Sequence, residues 1–114
     1  MPAPPRRAGV AATQARRGAR APGRHERLVT VFGALSDSTR MEMLELIVQR
    51  GEVGCAELYA RFPLTKSTIS YHAKVLHAAG LIETRREGKF FFYRLLLDRL
   101  EADLPGLVDR LRAS

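Results

Sequence analysis

Apolar side chains fall at Leu28, Val31, Phe32 and Leu35, the i, i+3, i+4, i+7 spacing of a helix with one buried face, and predict a first helix over about 24–35. Ser36-Asp37-Ser38-Thr39 follows with helix-capping chemistry, centred on Asp37. A second helix turns Met41, Leu44, Ile47 and Val48 inward and stops at Gly51, a residue suited to the position after a helix end. A short helix over about 55–61 buries Ala56 and Leu58 with Tyr59 or Phe62, and Pro63 ends it. Thr65 caps a fourth helix over about 66–79, whose apolar stripe is Ile69, Ala73, Leu76 and Ala79, closed by Gly80.

The period then changes. Residues 81–86 and 89–95 read as two strands joined by Glu87-Gly88 as a two-residue hairpin connection, and Phe90, Phe91, Phe92 and Tyr93 suit a strand. Leu97, Leu100, Leu104, Leu107 and Leu111 form a narrow leucine seam over about 97–112, and Pro105-Gly106 predicts a kink or restart near 104. The order is α-α-α-α-β-β-α: a mainly α fold with a β-hairpin wing. Residues 55–79 form a helix-turn-helix and 82–95 the wing, which together make a winged helix-turn-helix.

Composition narrows the class. With 114 residues and 46% hydrophobic content, the chain has room for one domain and one modest core. No apolar run approaches the ~20 residues needed to cross a bilayer. A single cysteine leaves no internal disulfide framework and no multi-cysteine zinc site, which points to a reducing, cytoplasmic setting. Residues 1–24 hold six arginines and no acid, so most of the +7 net charge belongs to an Arg, Ala, Pro and Gly-rich stretch. Residues 1–23 therefore read as a disordered basic arm, and 24–114 as the domain. The paired arginines at 6–7 and 16–17 have no following apolar stretch, so they do not make an export signal.

Within the domain, positive charge is local. Residues 61–94 carry seven bases and two acids, whereas 25–60 and 95–114 are net acidic. On the fourth helix the buried stripe leaves Lys66, Ser67, Ser70, Tyr71 and Lys74 facing out, with no carboxylate between 58 and 82. Hydroxyls and cations without carboxylates suit a helix pressed against a polyanion, and the major groove is wide enough to admit one. Lys66, Ser67, Ser70 and Tyr71 are the candidates for base contacts. Lys74, Arg85, Arg86 and Lys89 are those for phosphates or the minor groove. Enzyme signatures are missing: there is no glycine-rich phosphate loop, nucleophile elbow or paired-carboxylate arrangement. Ser70 and His72 diverge by about 200° around the helix and make no catalytic pair.

The runs Ala34-Leu-Ser-Asp-Ser-Thr-Arg40, Leu64-Thr-Lys-Ser-Thr-Ile-Ser-Tyr-His-Ala-Lys-Val-Leu-His-Ala-Ala-Gly-Leu-Ile82 and Arg85-Arg-Glu-Gly-Lys-Phe-Phe-Phe-Tyr-Arg-Leu95 resemble the arsenic-repressor (ArsR) family of winged helix-turn-helix transcription regulators. The resemblance spans about 28–112. It implies a homodimer on double-stranded DNA, with two recognition helices in successive major grooves of a pseudo-palindromic operator, usually as a repressor released by a ligand. Ser38 stands where the family often has proline, and either residue is acceptable at a first helical position. The metal-sensing branch has a Cys-Val-Cys pair whose cysteine positions here are Gly54 and Ala56, with Cys55 displaced between them. A thiolate site needs both sulfurs, so none is expected. A second family site uses Asp and His on the last helix, which here has Asp98, Glu101, Asp103 and Asp109 but no His. No metal or cofactor is therefore expected.

Cys55 reads as a small buried hydrophobe, and a small-molecule or redox effector stays undetermined. The dimer is expected through the first and last helices, Leu28, Val31, Phe32 and Leu35 with Leu100, Leu104, Leu107 and Leu111, part of each stripe also serving the core. Two other readings stay open: a constitutive autorepressor without effector, and a protein-interaction module with vestigial DNA binding. The charge on the recognition helix and hairpin argues against the second.

Overall fold

A computed structural model describes residues 23–113. Helix α1 runs Arg24–Ala34 and opens with the Gly23 N–H donating to the Glu26 carboxylate at 3.0 Å. Helix α2, Ser38–Arg50, is capped by Asp37, whose side chain accepts from the Arg40 N–H at 3.0 Å, and it ends at Gly51 with φ 81°. Strand β1 is Glu52–Gly54 and leads straight into α3, Cys55–Arg61. Helix α4, Lys66–Ala78, is capped by the Thr65 hydroxyl, which accepts from the Thr68 N–H at 3.2 Å. Strands β2, Ile82–Glu87, and β3, Phe90–Leu95, form the hairpin, followed by α5, Leu97–Asp103, and α6, Leu107–Arg112. Among the described residues no helix is long and apolar enough to cross a membrane. The basic arm read over 1–23 lies outside the described residues apart from Gly23.

Two expectations are corrected. The sheet has three antiparallel strands in the order β1-β3-β2, because Val53 pairs with Tyr93 and extends the hairpin on its free edge. A three-residue strand with one apolar residue carries too little alternation to stand out in sequence. The hairpin turn is Gly88-Lys89, not Glu87-Gly88: Glu87 pairs with Phe90, and Gly88 takes φ 63°. The register that follows sets Arg86 opposite Phe91 and Arg85 opposite Phe92, so the two arginines lie on opposite faces. The restart expected near 104 separates two helices. Leu104 ends α5, and Gly106, at φ 90°, starts α6 afresh.

The core joins α2, α3, α4 and α5 to one face of the sheet through Met43, Leu44, Ile47, Leu58, Ile69, Leu76, Leu81, Ile82 and Leu100, all fully buried. Helix α2 packs on α4, α6 and the sheet, so Met43 and Leu46 join the expected Leu44, Ile47 and Val48, a stripe wider than that of a helix with one buried side. Ala56 is exposed, and Cys55 takes the buried place beside it.

The interface stripes are also divided. Val31, Leu100 and Leu111 are buried within the single chain and serve its own core, so they are corrected out of the set available to a partner. Leu28, Leu35, Leu104 and Leu107 are half-buried. Phe32 is 56% exposed and Val29, which the stripe did not include, 70%. Phe32, Leu35, Met41, Leu104 and Leu107 line an open groove of about 730 Å³ between α1, the start of α2 and the α5–α6 break.

Candidate nucleic-acid interface

The helix-turn-helix is made by α3 and α4, with Phe62 to Thr65 as the turn. The Leu64 N–H donates to the Phe62 carbonyl at 2.8 Å, which draws the chain round tightly before the Thr65 cap. Ile69, Ala73 and Leu76 bury one side of α4. Lys66, Ser67, Tyr71 and Lys74 are exposed on the other side, and Ser70 is half-buried at its edge. Tyr71 leaves 59% of its surface open, too much for a core tyrosine. The Lys66 ammonium lies 5.3 Å from the centre of the Tyr59 ring on α3, which holds the cation at the mouth of the turn.

The recognition helix is tied to the rest of the molecule by a residue that sequence reasoning missed. An Arg40 guanidinium nitrogen lies 3.0 Å from His72 Nδ1, while Arg40 Nε donates to the Ala34 carbonyl at 2.6 Å. A guanidinium only donates, so in this contact His72 Nδ1 is the acceptor. Arg40 thus joins the end of α1, the start of α2 and the middle of α4. Its own backbone N–H holds the Asp37 carboxyl below the ordinary carboxylate range. A lone arginine in a capping segment gives no sequence cue to such a role.

The hairpin has an inner face, on which Val53, Ile82 and Tyr93 are buried against the helices, and an outer face open to solvent. Burial pushes the Tyr93 hydroxyl up to about 12, so it stays protonated. The Phe91 N–H donates to Cys55 Sγ at 3.5 Å, which anchors the hairpin to the first residue of α3 and makes Cys55 a buried packing residue.

The outer face is a self-satisfied charge array. Arg85 reaches Glu52 at 3.1 Å and Glu87 at 2.9 Å and lies 4.6 Å from the Phe92 ring centre, and Arg94 pairs with Glu83. The hydrogen bond from Arg85 holds the Glu52 carboxyl below its ordinary range, and that bond with Glu52 holds the Arg85 guanidinium more firmly protonated. The structure therefore does not bring Arg85 together with the other candidates: it braces β2 to β1 across β3. Arg86 is on the inner face, where it meets no carboxylate among the described residues, and Lys89 is exposed at the tip. Sequence reasoning missed Glu52 because its partner is 33 positions away and lies across a strand that was not expected. Among the described residues no three His, Cys, Asp or Glu side chains gather in a way that could hold a metal ion.

A short helix, a tight turn, an exposed polar helix flank and a basic hairpin tip define a winged helix-turn-helix module. The family model described as a helix-turn-helix domain matches residues 35–85. An uncharacterized HTH-type transcriptional regulator of Methanocaldococcus jannaschii is 31% identical over 88 residues, covering 77% of this chain and 98% of that protein. The arsenic resistance transcriptional regulator of Pseudomonas putida is 37% identical over 95 residues, covering 77% of this chain and 74% of that one. A solution structure of a homodimeric winged helix-turn-helix DNA-binding domain from Mycobacterium bovis, a possible ArsR-family regulator, superposes with TM-score 0.63 at 28% identity over 76% of this chain and 79% of that one. The chain belongs to the ArsR family of helix-turn-helix transcriptional regulators, a family of regulators and not of enzymes.

Proposed function

We propose that the protein is a dimeric repressor that binds a pseudo-palindromic operator in duplex DNA. The observation that carries this reading is the open flank of α4, with Lys66, Ser67, Tyr71 and Lys74 exposed and no carboxylate on the helix. Lys66, Ser67, Ser70 and Tyr71 read base edges in the major groove. Lys74 and Lys89 hold phosphates, and Arg86 approaches the backbone or minor groove from the wing. Arg85 contributes through the brace, not through DNA.

The second copy covers the groove at Phe32, Leu35, Met41, Leu104 and Leu107. Two-fold symmetry then spaces the recognition helices by about 34 Å, one turn of DNA. A dimer seated across two successive major grooves occludes the DNA beneath it, which is the physical basis of repression in the cytoplasm. The cysteine-pair metal site of the family's sensing branch is missing from this chain, since Gly54 and Ala56 occupy the positions of the two sulfurs.

The test separates positioning from reading. Fluorescence anisotropy with duplexes recovered by the protein from a random library, and with scrambled controls, measures both. Tyr71→Ala reduces discrimination between the two sets by about 1–3 kcal/mol, whereas Lys74→Ala weakens both alike and lowers the log–log salt slope by about 0.9 for each phosphate no longer neutralised. Equal weakening on every sequence from Tyr71→Ala removes the base-reading role. No binding to any duplex refutes the function.

A further inference from the structure

The three arginines of the wing occupy two kinds of environment. Arg85 and Arg94 lie on the outer face against Glu52, Glu87 and Glu83, and that face is electrically closed. Arg86, on the inner face, has its guanidinium carbon 5.4 Å from the centre of the Phe91 ring and donates from Nε to the Gly88 carbonyl at 2.9 Å. Phe91 is paired with Arg86 across the hairpin, is 37% exposed, and has its backbone fixed to Cys55. An arginine on a hairpin end ordinarily samples many rotamers; this one is exposed, held by a ring on one side and a carbonyl on the other, with no other partner for its N–H donors among the described residues.

We propose that Phe91 is a positioning residue for Arg86, and that the guanidinium so presented enters the minor groove beside each half-site and gives the protein a preference for A·T-rich flanking sequence. A·T tracts narrow the minor groove and deepen its negative potential, and they lack the guanine amino group that would obstruct a donor. A guanidinium is planar and weakly hydrated and suits that slot, whereas the compact, strongly hydrated ammonium of Lys89 suits phosphates. Arg85, its charge matched by two glutamates, has none to offer. This inference rests on the DNA-binding reading above.

The experiment uses the full chain and a library-selected duplex remade with three flanks: A·T, G·C, and I·C, which has the minor-groove edge of A·T and a major-groove edge close to that of G·C. The wild-type protein binds the A·T and I·C duplexes about five times or more tightly than the G·C duplex. Phe91→Leu keeps an apolar residue under the hairpin but removes the ring: the preference falls about two- to fivefold, the bias an exposed cation–ring contact supplies, with the salt slope unchanged and the thermal midpoint lowered by only a few degrees. Phe91→Tyr restores the preference. Arg86→Lys abolishes it at constant slope, and Arg86→Ala abolishes it and lowers the slope by about 1.8 per dimer, two cations at about 0.9 each. Wild-type binding that ignores the flank, or Phe91→Leu that keeps full discrimination, overturns the proposal while leaving the major-groove reading intact. Failure of the wild type to bind any duplex overturns both.

Discussion

Replacing Phe32 by aspartate separates association from folding. A covered phenylalanine side chain buries roughly 150–250 Å², so a ring that is 56% exposed leaves about 100 Å² for a partner to cover. At about 25 cal/mol per Å² that is about 2.5 kcal/mol per copy and about 5 kcal/mol for a symmetric pair, in which the change is made twice. The rotational and translational cost of association is common to both proteins and cancels in the comparison. A carboxylate placed in the groove adds its own desolvation, so the dimer constant of Phe32→Asp weakens by at least about a thousandfold. Sedimentation equilibrium over a micromolar range reads that change, and circular dichroism and thermal melting of the resulting monomer read the fold. Unaltered dimerisation would remove Phe32 from the interface. A weakened helical signal in the monomer would show that the ring supports the chain's own core. Either result refutes the division of the α1 stripe into a core side and a partner side.

Leu100→Ala shows the opposite behaviour: fully buried, it costs about 2–5 kcal/mol in urea unfolding, because the deletion leaves a cavity inside one chain. Gly80→Ala costs about 1–2 kcal/mol, since Gly80 sits at φ 79° where a side chain is strained, and added Arg99→Ala does not recover it even though the new Cβ would crowd the Arg99 guanidinium. That guanidinium ends a flexible chain and moves aside; the backbone cannot. For the Glu52–Arg85 brace the sign follows from the depressed carboxyl: its contribution is present above the ordinary value of 4.5 and is lost as pH falls through the lower folded value. The thermal midpoint of the wild type therefore declines on acidification below about pH 4.5, and Glu52→Gln flattens that part of the profile, leaving the share of Asp37, whose carboxyl is lowered too.

Helices α1 to α4 were legible in the sequence because each has an apolar period, a cap or a stop residue that agree: Asp37 and Gly51 bracket α2, and Thr65 and Gly80 bracket α4. The exposed flank of α4 followed by subtraction, since Ile69, Ala73 and Leu76 fix which side is buried. The wing was legible as a hairpin but not in its register. Glu87-Gly88 and Gly88-Lys89 both place the glycine at a turn, and only the pairing distinguishes them, yet a one-residue shift decides which face each arginine takes. The leucine seam was legible in its break at Pro105-Gly106 but not in the faces its two halves take. Spacing shows that Leu100, Leu104 and Leu107 lie along one side, but α5 and α6 are separate helices, so Leu100 points into the core while Leu104 and Leu107 border the groove. Long-range pairs such as Glu52 with Arg85 and Arg40 with His72 leave no local pattern to read.

Arg40 has a mechanical consequence. It grips the last carbonyl of α1, the helix proposed to face the partner, and the imidazole at the centre of α4, the helix proposed to face DNA. In the proposed dimer, a shift of α1 against its twin would either carry the reading head along or rupture one of these two bonds, so the distance between the paired heads would be geared to the fit at the seam.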